Sequence, residues 1–256
     1  MQVYSFSQVK NSFDSTADRS SIISRYVFRP VSFYLAYIVL IFNVTPNTAT
    51  FFSFLFGLIS IVLLAMGGRL FSILGVLFYF LYIVFDFIDG NIARVKNHAT
   101  YYGKFLDGAV DAFIESLLPF CFSLSFFIYR QSLMVLFLGM GTSLLLLYAY
   151  LLLTRVSFFS RWIAIEEGDK IKQMQFNKNP LDSGNVIRIK TVGNIMFDLT
   201  IVVLLLVLIV GIHKILIITF LLLNLLYALF LIILMLRNAS KNFRIHRISK
   251  MARGYK

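Results

Sequence analysis

The chain has 256 residues, of which 59% are hydrophobic, and its formal net charge is +12 at pH 7. A soluble domain is only about half apolar, so this composition argues against an ordinary soluble protein and favours an integral membrane protein. The positive charge does not indicate a nucleic-acid partner, because the basic residues lack interleaved stacking aromatics in any soluble domain. A polar stretch follows the first methionine, so no cleavable signal peptide is expected.

The chain begins with a polar segment, residues 1–28, which is expected to lie in the cytoplasm. Residues 29–43 are apolar but too short to cross a membrane. Pro30 is suited to the first turn of a helix. We therefore predict an amphipathic helix here, lying on the inner leaflet of the membrane.

Six later stretches are long enough to cross a membrane, since a spanning helix needs about 20 mostly apolar residues. The predicted fold is an all-α membrane protein with six transmembrane helices plus the N-terminal interfacial helix. The membrane domain is predicted over residues 29–236, and the basic cytoplasmic tail, 237–256, is expected to contact anionic lipid headgroups. The predicted spans are residues 46–66, 71–93, 105–129, 132–154, 193–212 and 215–236.

The basic residues indicate how these spans are oriented. With six spans, 21 of the 24 Lys and Arg residues fall on one side of the membrane, and three fall on the other. Cytoplasmic loops carry such an excess of basic residues. The pattern predicts a protein of the cytoplasmic membrane with both termini, the 94–104 loop and the 155–190 loop in the cytoplasm.

Carboxylates occur where membrane segments usually tolerate none. Asp86 and Asp89 are three residues apart, and Asp107 and Asp111 are four apart, so each pair shares a helix face. A short polar turn between the two helices lets them run antiparallel, which would bring all four carboxylates together near the cytoplasmic side. Four carboxylates cannot all stay ionised there without cations. An all-oxygen ligand set suits Mg²⁺ or Mn²⁺, and two such ions would form a clamp for phosphoryl chemistry.

Residues 86–111 contain the pattern Asp86-x2-Asp89-Gly90-x2-Ala93-Arg94-x8-Gly103-x3-Asp107-x3-Asp111. This pattern resembles the signature of the CDP-alcohol phosphotransferases. The "TPNTAT" stretch, with Pro46, Asn47 and Thr50, also resembles the family's element at the start of the first span. The resemblance implies that an acceptor hydroxyl attacks the β-phosphorus of a CDP-linked alcohol, that CMP leaves, and that the protein is a homodimer.

The resemblance also implies roles for individual residues. Asp86, Asp89 and Asp107 correspond to metal ligands, with Asp107 bridging two ions. Asp111 corresponds to a ligand of the second ion and to the general base. The nucleotide contacts that the resemblance implies are Gly90, Ala93, Arg94 and Gly103, with Asn47 and Thr50 near the CMP moiety.

The two substrates are less constrained. We favour CDP-diacylglycerol as the donor, in phospholipid biosynthesis, because a lipid-linked donor can enter sideways from the inner leaflet. Residues 29–32, "RPVS", resemble a subgroup that includes the di-myo-inositol phosphate phosphate synthases, which join CDP-inositol to inositol phosphate. Transfer from CDP-choline or CDP-ethanolamine also stays open.

A phosphorylated acceptor would need cations beside the site. Arg155, Arg188 and Lys190 flank the expected cavity mouth and are the candidates, although each could equally anchor a helix at the membrane surface. Glu115, one turn past Asp111, could tune the metal site, contact the acceptor or bond a neighbouring helix. Asp198 is expected to form a structural pair with Arg188, Lys190 or Arg94.

Two other classes of function compete with the enzyme. Carboxylates in membrane helices also line ion paths, as in a cation transporter. A path would spread carboxylates through the depth of the membrane and over several helices, whereas here they cluster on two. A catalytically inactive scaffold would not need four aspartates in this pattern.

Overall fold

The computed structural model describes residues 4–12, 21–166, 183–211 and 213–243. These ranges are almost entirely helical and contain no strand, which confirms the predicted all-α fold. A π-helical turn, Ser24–Phe28, leads directly into the second helix. The α-helices are α1 (Phe6–Asn11), α2 (Arg29–Ile41), α3 (Pro46–Met66), α4 (Arg69–Val95), α5 (Tyr101–Arg130), α6 (Leu133–Glu166), α7 (Ser183–Val210) and α8 (Lys214–Phe243).

The prediction of six spans is confirmed, because α3 to α8 are each long and apolar enough to cross a membrane. The first of them, α3, begins and ends at the predicted residues. Its start is set by Thr45, whose side chain accepts a hydrogen bond from the backbone N–H of Thr48 at 3.2 Å, and by Pro46 at the first helical position. Its end is set by Gly67, at a positive φ of 67°.

Several helices extend past the predicted spans, and at α5 a capping residue rather than hydropathy sets the start. α5 begins at Tyr101, where the Thr100 hydroxyl accepts a hydrogen bond from the backbone N–H of Gly103 at 3.0 Å. α6 continues to Glu166 and α8 to Phe243, beyond their apolar cores. Residues 167–182 and 244–256, which hold much of the predicted loop and basic tail, lie outside the described residues.

The N-terminal helix α2 is too short to cross a bilayer. Its 13 residues extend over about 20 Å, whereas the hydrocarbon core is roughly 30 Å thick. Together with the π-helical turn before it, α2 lies against the spanning helices. The Phe28 ring packs 5.8 Å from that of Phe80 in α4 and 6.2 Å from that of Phe197 in α7.

Asp198 in α7 holds the N-terminal segment just before the π-helical turn. The backbone N–H groups of Ile22 and Ile23 each donate a hydrogen bond to its carboxylate at 3.1 Å. The expected pairing of Asp198 with a nearby arginine or lysine was therefore wrong as to partner. The first turn of a helix offers unpaired N–H groups and a positive dipole end, which attract a carboxylate as a basic side chain would.

The close approach of α3 to α4 and α5 depends on small side chains. Ser53 and Ser60 of α3 donate hydrogen bonds to backbone carbonyls of α4, at Tyr82 (3.0 Å) and Gly75 (2.8 Å). Gly57 faces Ile114 of α5, and a Cβ at this glycine would lie only 2.8 Å from the end of that side chain. These contacts fix the three helices that carry the predicted motif.

Candidate active site

The turn between α4 and α5 brings the two halves of the motif side by side. Asn97 adopts a left-handed conformation with φ of 51°, which reverses the chain after α4. The Lys96 ammonium group fastens this turn by donating hydrogen bonds to the side chain of Asn43 and the carbonyl of Val44, both at 2.8 Å. The end of α4, the start of α5 and the start of α3 therefore meet in one place.

Three of the four predicted aspartates form a tight group, the aspartate trio of Asp86, Asp89 and Asp107. Each offers a carboxylate oxygen, and these three atoms lie within 4.8 Å of one another. Asp89 is buried, and the other two are partly buried. Oxygen ligands of Mg²⁺ lie 2.0–2.1 Å from the ion and so about 3–4 Å apart, which small side-chain movements would achieve here. The trio therefore fits a divalent cation.

Asp111 is placed differently from the trio. It accepts a hydrogen bond from the hydroxyl of Tyr82 at 2.7 Å. One helical turn, about 6 Å of rise, separates it from Asp107, and at that depth α4 presents the buried Tyr82. The expected quartet is thus a trio with a fourth carboxylate beside it. No periodicity in the sequence marks Tyr82 as the partner of Asp111.

The residues that resemble nucleotide contacts also meet at this end of the bundle. The Thr50 hydroxyl donates to Asp89 at 2.5 Å, which joins α3 to the trio. A Cβ at Gly103 would lie 3.4 Å from the side-chain oxygen of Asn47, so α5 and α3 approach closely there. The remaining position, Ala93, is partly buried on α4.

Arg94 is exposed at the end of α4, and its guanidinium group lies over Gly90, 3.5 Å from the position of a Cβ at that glycine. It also donates a hydrogen bond to the side chain of Asn91 at 2.7 Å. The Asn91 amide in turn donates to Ser32 of α2 at 3.2 Å. Asn91 and Ser32, which the sequence alone did not single out for this contact, connect α2 to the expected nucleotide side.

A cavity of about 320 Å³ opens beside the aspartates. Asp86 of α4 and Asp111 and Glu115 of α5 line it. Ser21 and Ser24 of the N-terminal segment also line it. Nothing in the sequence pattern predicts these two serines as cavity residues, because they lie far from the motif in the chain and reach it through the packing of α2 and the contact of the N-terminal segment with Asp198.

The three basic acceptor candidates are all exposed, and none is among the residues that line this cavity. Lys190 lies one helical turn before Asn194, which does line it, so Lys190 is on the side of α7 that leads to the cavity. Arg188 lies slightly further out on the same helix, and Arg155 is on α6. The structure thus does not bring these three cations into contact with the aspartates.

The family model described as CDP-alcohol phosphatidyltransferase matches residues 42–223, from the connection before α3 into α8. The match includes all four motif aspartates and confirms the resemblance found in the sequence. No curated protein matched the chain. The family is generally dependent on divalent metal ions, in agreement with the aspartate trio.

Proposed function

Because the chain belongs to the CDP-alcohol phosphatidyltransferase family, we propose that it transfers a phosphatidyl group from CDP-diacylglycerol to an acceptor hydroxyl, with release of CMP, in phospholipid biosynthesis. The observation that carries the proposal is the aspartate trio, with Asp111 on the wall of the adjoining cavity. The trio supplies a site for ions that bind a diphosphate, and the cavity supplies room for an acceptor beside it.

The metal site of the proposal consists of the trio together with Asp111, which would hold two Mg²⁺ or Mn²⁺ ions. Such ions neutralise the diphosphate and stabilise the charge on the departing CMP. The protein contributes the orientation of the ligands: Thr50 fixes Asp89, and Tyr82 fixes Asp111. Metal-binding carboxylates are commonly held by such neighbouring hydrogen bonds.

The nucleotide side of the proposal lies between α3, α4 and α5. At Gly90 and Gly103 a ligand can approach the backbone closely, because neither position has a side chain. Arg94 lies over Gly90 and has the planar, bidentate donor geometry that suits a phosphate. Ala93, Asn47 and Thr50 complete the proposed contacts to CMP.

The proposed reaction is a single displacement at phosphorus. The acceptor oxygen forms a bond to the β-phosphorus, while the bond from that phosphorus to the oxygen bridging to CMP breaks. The proton of the acceptor hydroxyl passes to Asp111, which acts as general base. CMP leaves with the bridging oxygen and its electron pair. Tyr82 keeps the Asp111 carboxylate turned toward the cavity in which the acceptor lies.

We further propose that the protein is a homodimer in the cytoplasmic membrane, with both termini in the cytoplasm. The distribution of Lys and Arg supports the orientation, and the family resemblance supports the dimer. New cysteines at Lys96 and Arg130 in a Cys121→Ala background should react with an impermeant maleimide from opposite sides of the membrane. Light scattering of the purified protein should give the mass of two chains.

The decisive experiment measures CMP release by purified protein in lipid vesicles. CDP-diacylglycerol is compared with CDP-inositol, CDP-choline and CDP-ethanolamine, each with Mg²⁺, with Mn²⁺ and with a chelator. We expect turnover with CDP-diacylglycerol that requires a divalent ion. Asp111→Asn should reduce turnover by at least about 100-fold, the lower range for loss of a general base. Turnover with another CDP-alcohol alone would reassign the donor.

Two outcomes would refute parts of the proposal. An Asp111→Asn variant that folds and keeps its rate would exclude Asp111 as the base. Uptake of divalent ions into sealed vesicles, with no CMP released from any donor, would favour the cation transporter instead. The clustering of three carboxylates at one level of two adjacent helices supports the enzyme.

A further inference from the structure

A second, smaller cavity of about 50 Å³ lies deeper among the helices than the aspartate trio. Glu115 lines both this cavity and the larger one, and so do Gly193, Phe197 and Tyr227. The two spaces therefore adjoin at Glu115. Asp111 and Glu115 are one helical turn apart on α5, so a molecule that reacts at Asp111 has room to extend toward Glu115 and the smaller cavity.

Glu115 is the only carboxylate among the described residues that line the smaller cavity. It accepts a hydrogen bond from the hydroxyl of Tyr150 on the neighbouring helix α6. Charged groups within membrane helices are rare and usually pair with an opposite charge. Among the described residues that line the two cavities there is no lysine or arginine, so no described cation of the lining lies next to Glu115.

The charges around the two cavities disfavour an anionic acceptor. Asp86, Asp111 and Glu115 all face the larger space. Divalent ions would neutralise the first two in the proposed reaction, but Glu115 lies one turn further along α5. A phosphate brought beside it would meet a like charge in a partly buried site of low dielectric. An ammonium group in the same position would pair with the carboxylate.

The remaining walls of the smaller cavity also suit an ammonium group. Tyr79, Tyr150 and Tyr227 line it, together with the side-chain amide of Asn224 and the hydroxyl of Thr200. Tyrosine rings attract cations through their faces, and the oxygens of these side chains accept hydrogen bonds from N–H donors. The volume admits a small polar group but not a phosphorylated sugar.

From these observations we infer that the acceptor is a 2-amino alcohol, which binds with its hydroxyl at Asp111 and its ammonium group at Glu115. This inference rests on the proposed transferase function and narrows its acceptor. Side chains four residues apart on a helix have Cβ atoms about 5–6 Å apart. A vicinal oxygen and nitrogen, about 3 Å apart, can therefore hydrogen-bond to both carboxylates at once. Glu115 is then a residue that determines acceptor specificity.

The first test is an acceptor panel with the wild-type protein, CDP-diacylglycerol and the divalent ion that supports turnover. Ethanolamine and serine carry the ammonium group beside the hydroxyl, whereas ethylene glycol and N-acetylethanolamine keep a hydroxyl without that charge. Glycerol 3-phosphate and inositol phosphate represent anionic acceptors. We expect CMP release to be at least tenfold faster with one of the amino alcohols than with any other acceptor.

The second test is the Glu115→Gln variant, which keeps the size of the side chain but removes its charge. The KM for the amino alcohol should rise at least tenfold, equivalent to about 1.4 kcal/mol of binding free energy. The kcat should change much less, and the KM for CDP-diacylglycerol should stay the same. Tyr150→Phe should raise the acceptor KM in the same direction, whereas Tyr148→Phe, on the exposed face of α6, should not.

The outcomes separate this inference from the function on which it rests. Faster turnover with glycerol 3-phosphate or inositol phosphate would overturn the inference and leave the transferase intact. An equal rate with ethylene glycol and ethanolamine would overturn it too, because Glu115 would then select a hydroxyl and not a cation. Absence of CMP release with every donor and acceptor would refute the proposed function and the inference together. The wild-type panel decides these points even if Glu115→Gln fails to fold.

Discussion

Thr50→Val tests whether the buried contact between α3 and the aspartate trio organises a metal site. The substitution keeps the branched shape of the side chain and removes the hydroxyl that donates to Asp89 at 2.5 Å. Thr50 and Asp89 are 4% and 7% exposed, so water replaces the lost donor poorly. A hydrogen bond to a charged group contributes about 1.5–3 kcal/mol, which corresponds to a change of about 10- to 150-fold in a binding constant.

We therefore expect the concentration of Mg²⁺ or Mn²⁺ that gives half-maximal CMP release to rise ten- to a hundredfold. This range also matches the usual effect of losing a residue that orients a metal ligand. At saturating metal the rate should approach that of the wild type. Thr142→Val is the matched control, since the buried Thr142 hydroxyl donates to the carbonyl of Leu138 in α6.

An unchanged metal requirement in Thr50→Val would refute this reasoning. If the KM for CDP-diacylglycerol rose instead, at constant metal dependence, Thr50 would act as a nucleotide contact alone. The shift in melting temperature that the metal ion causes, measured without substrate, is a second test of metal binding. Wild type and Thr142→Val should melt at higher temperature with Mn²⁺, whereas Thr50→Val should need more of the ion for the same shift.

Three further substitutions test other parts of the structure. Arg94→Gln should raise the KM for the CDP-alcohol about tenfold or more, because a charge-assisted contact to the diphosphate is lost. Arg130→Gln, at the end of α5 that is far from the motif, should leave this KM unchanged. Equal kinetics of the Arg94 variant and the wild type would remove Arg94 from the site. Asp198→Ala should expose the N-terminal segment to proteolysis before residue 29, because two backbone N–H groups lose their acceptor; unchanged cleavage would mean that this contact does not hold the segment. Gly57→Val should destabilise the protein by about 1–3 kcal/mol, because the new side chain overpacks against Ile114. The measurement is a lower melting temperature. The same substitution at Gly108, which faces open space, should leave the melting temperature unchanged.

Features that depend on local spacing could be predicted from the sequence. The six spans follow from the length of the apolar stretches, and α3 could be bounded at both ends because a cap and a glycine mark them. Asp86, Asp89 and Asp107 could be expected to meet, because a short turn joins two helices whose carboxylates recur at helical spacing. In each case the residues that interact are close in the chain or are related by a simple period.

Features that depend on the register between distant helices could not be predicted. The contact of Tyr82 with Asp111 requires the relative depth of α4 and α5, which hydropathy does not specify. The partner of Asp198 is a pair of backbone N–H groups more than 170 residues earlier, and backbone donors carry no mark in a sequence. The cavity walls at Ser21 and Ser24 depend in turn on that contact.

The N-terminal segment has a practical consequence for anyone who trims this protein. The family match begins at residue 42, so a fragment cut to the recognised region would keep every motif aspartate and all of α3. It would nevertheless lack Ser21 and Ser24, and it would leave Asp198 without the amides it binds. Under the proposed reaction, such a fragment would keep all the proposed metal ligands but leave the cavity open on the side of Ser21 and Ser24, where water would compete with the acceptor alcohol at the phosphorus.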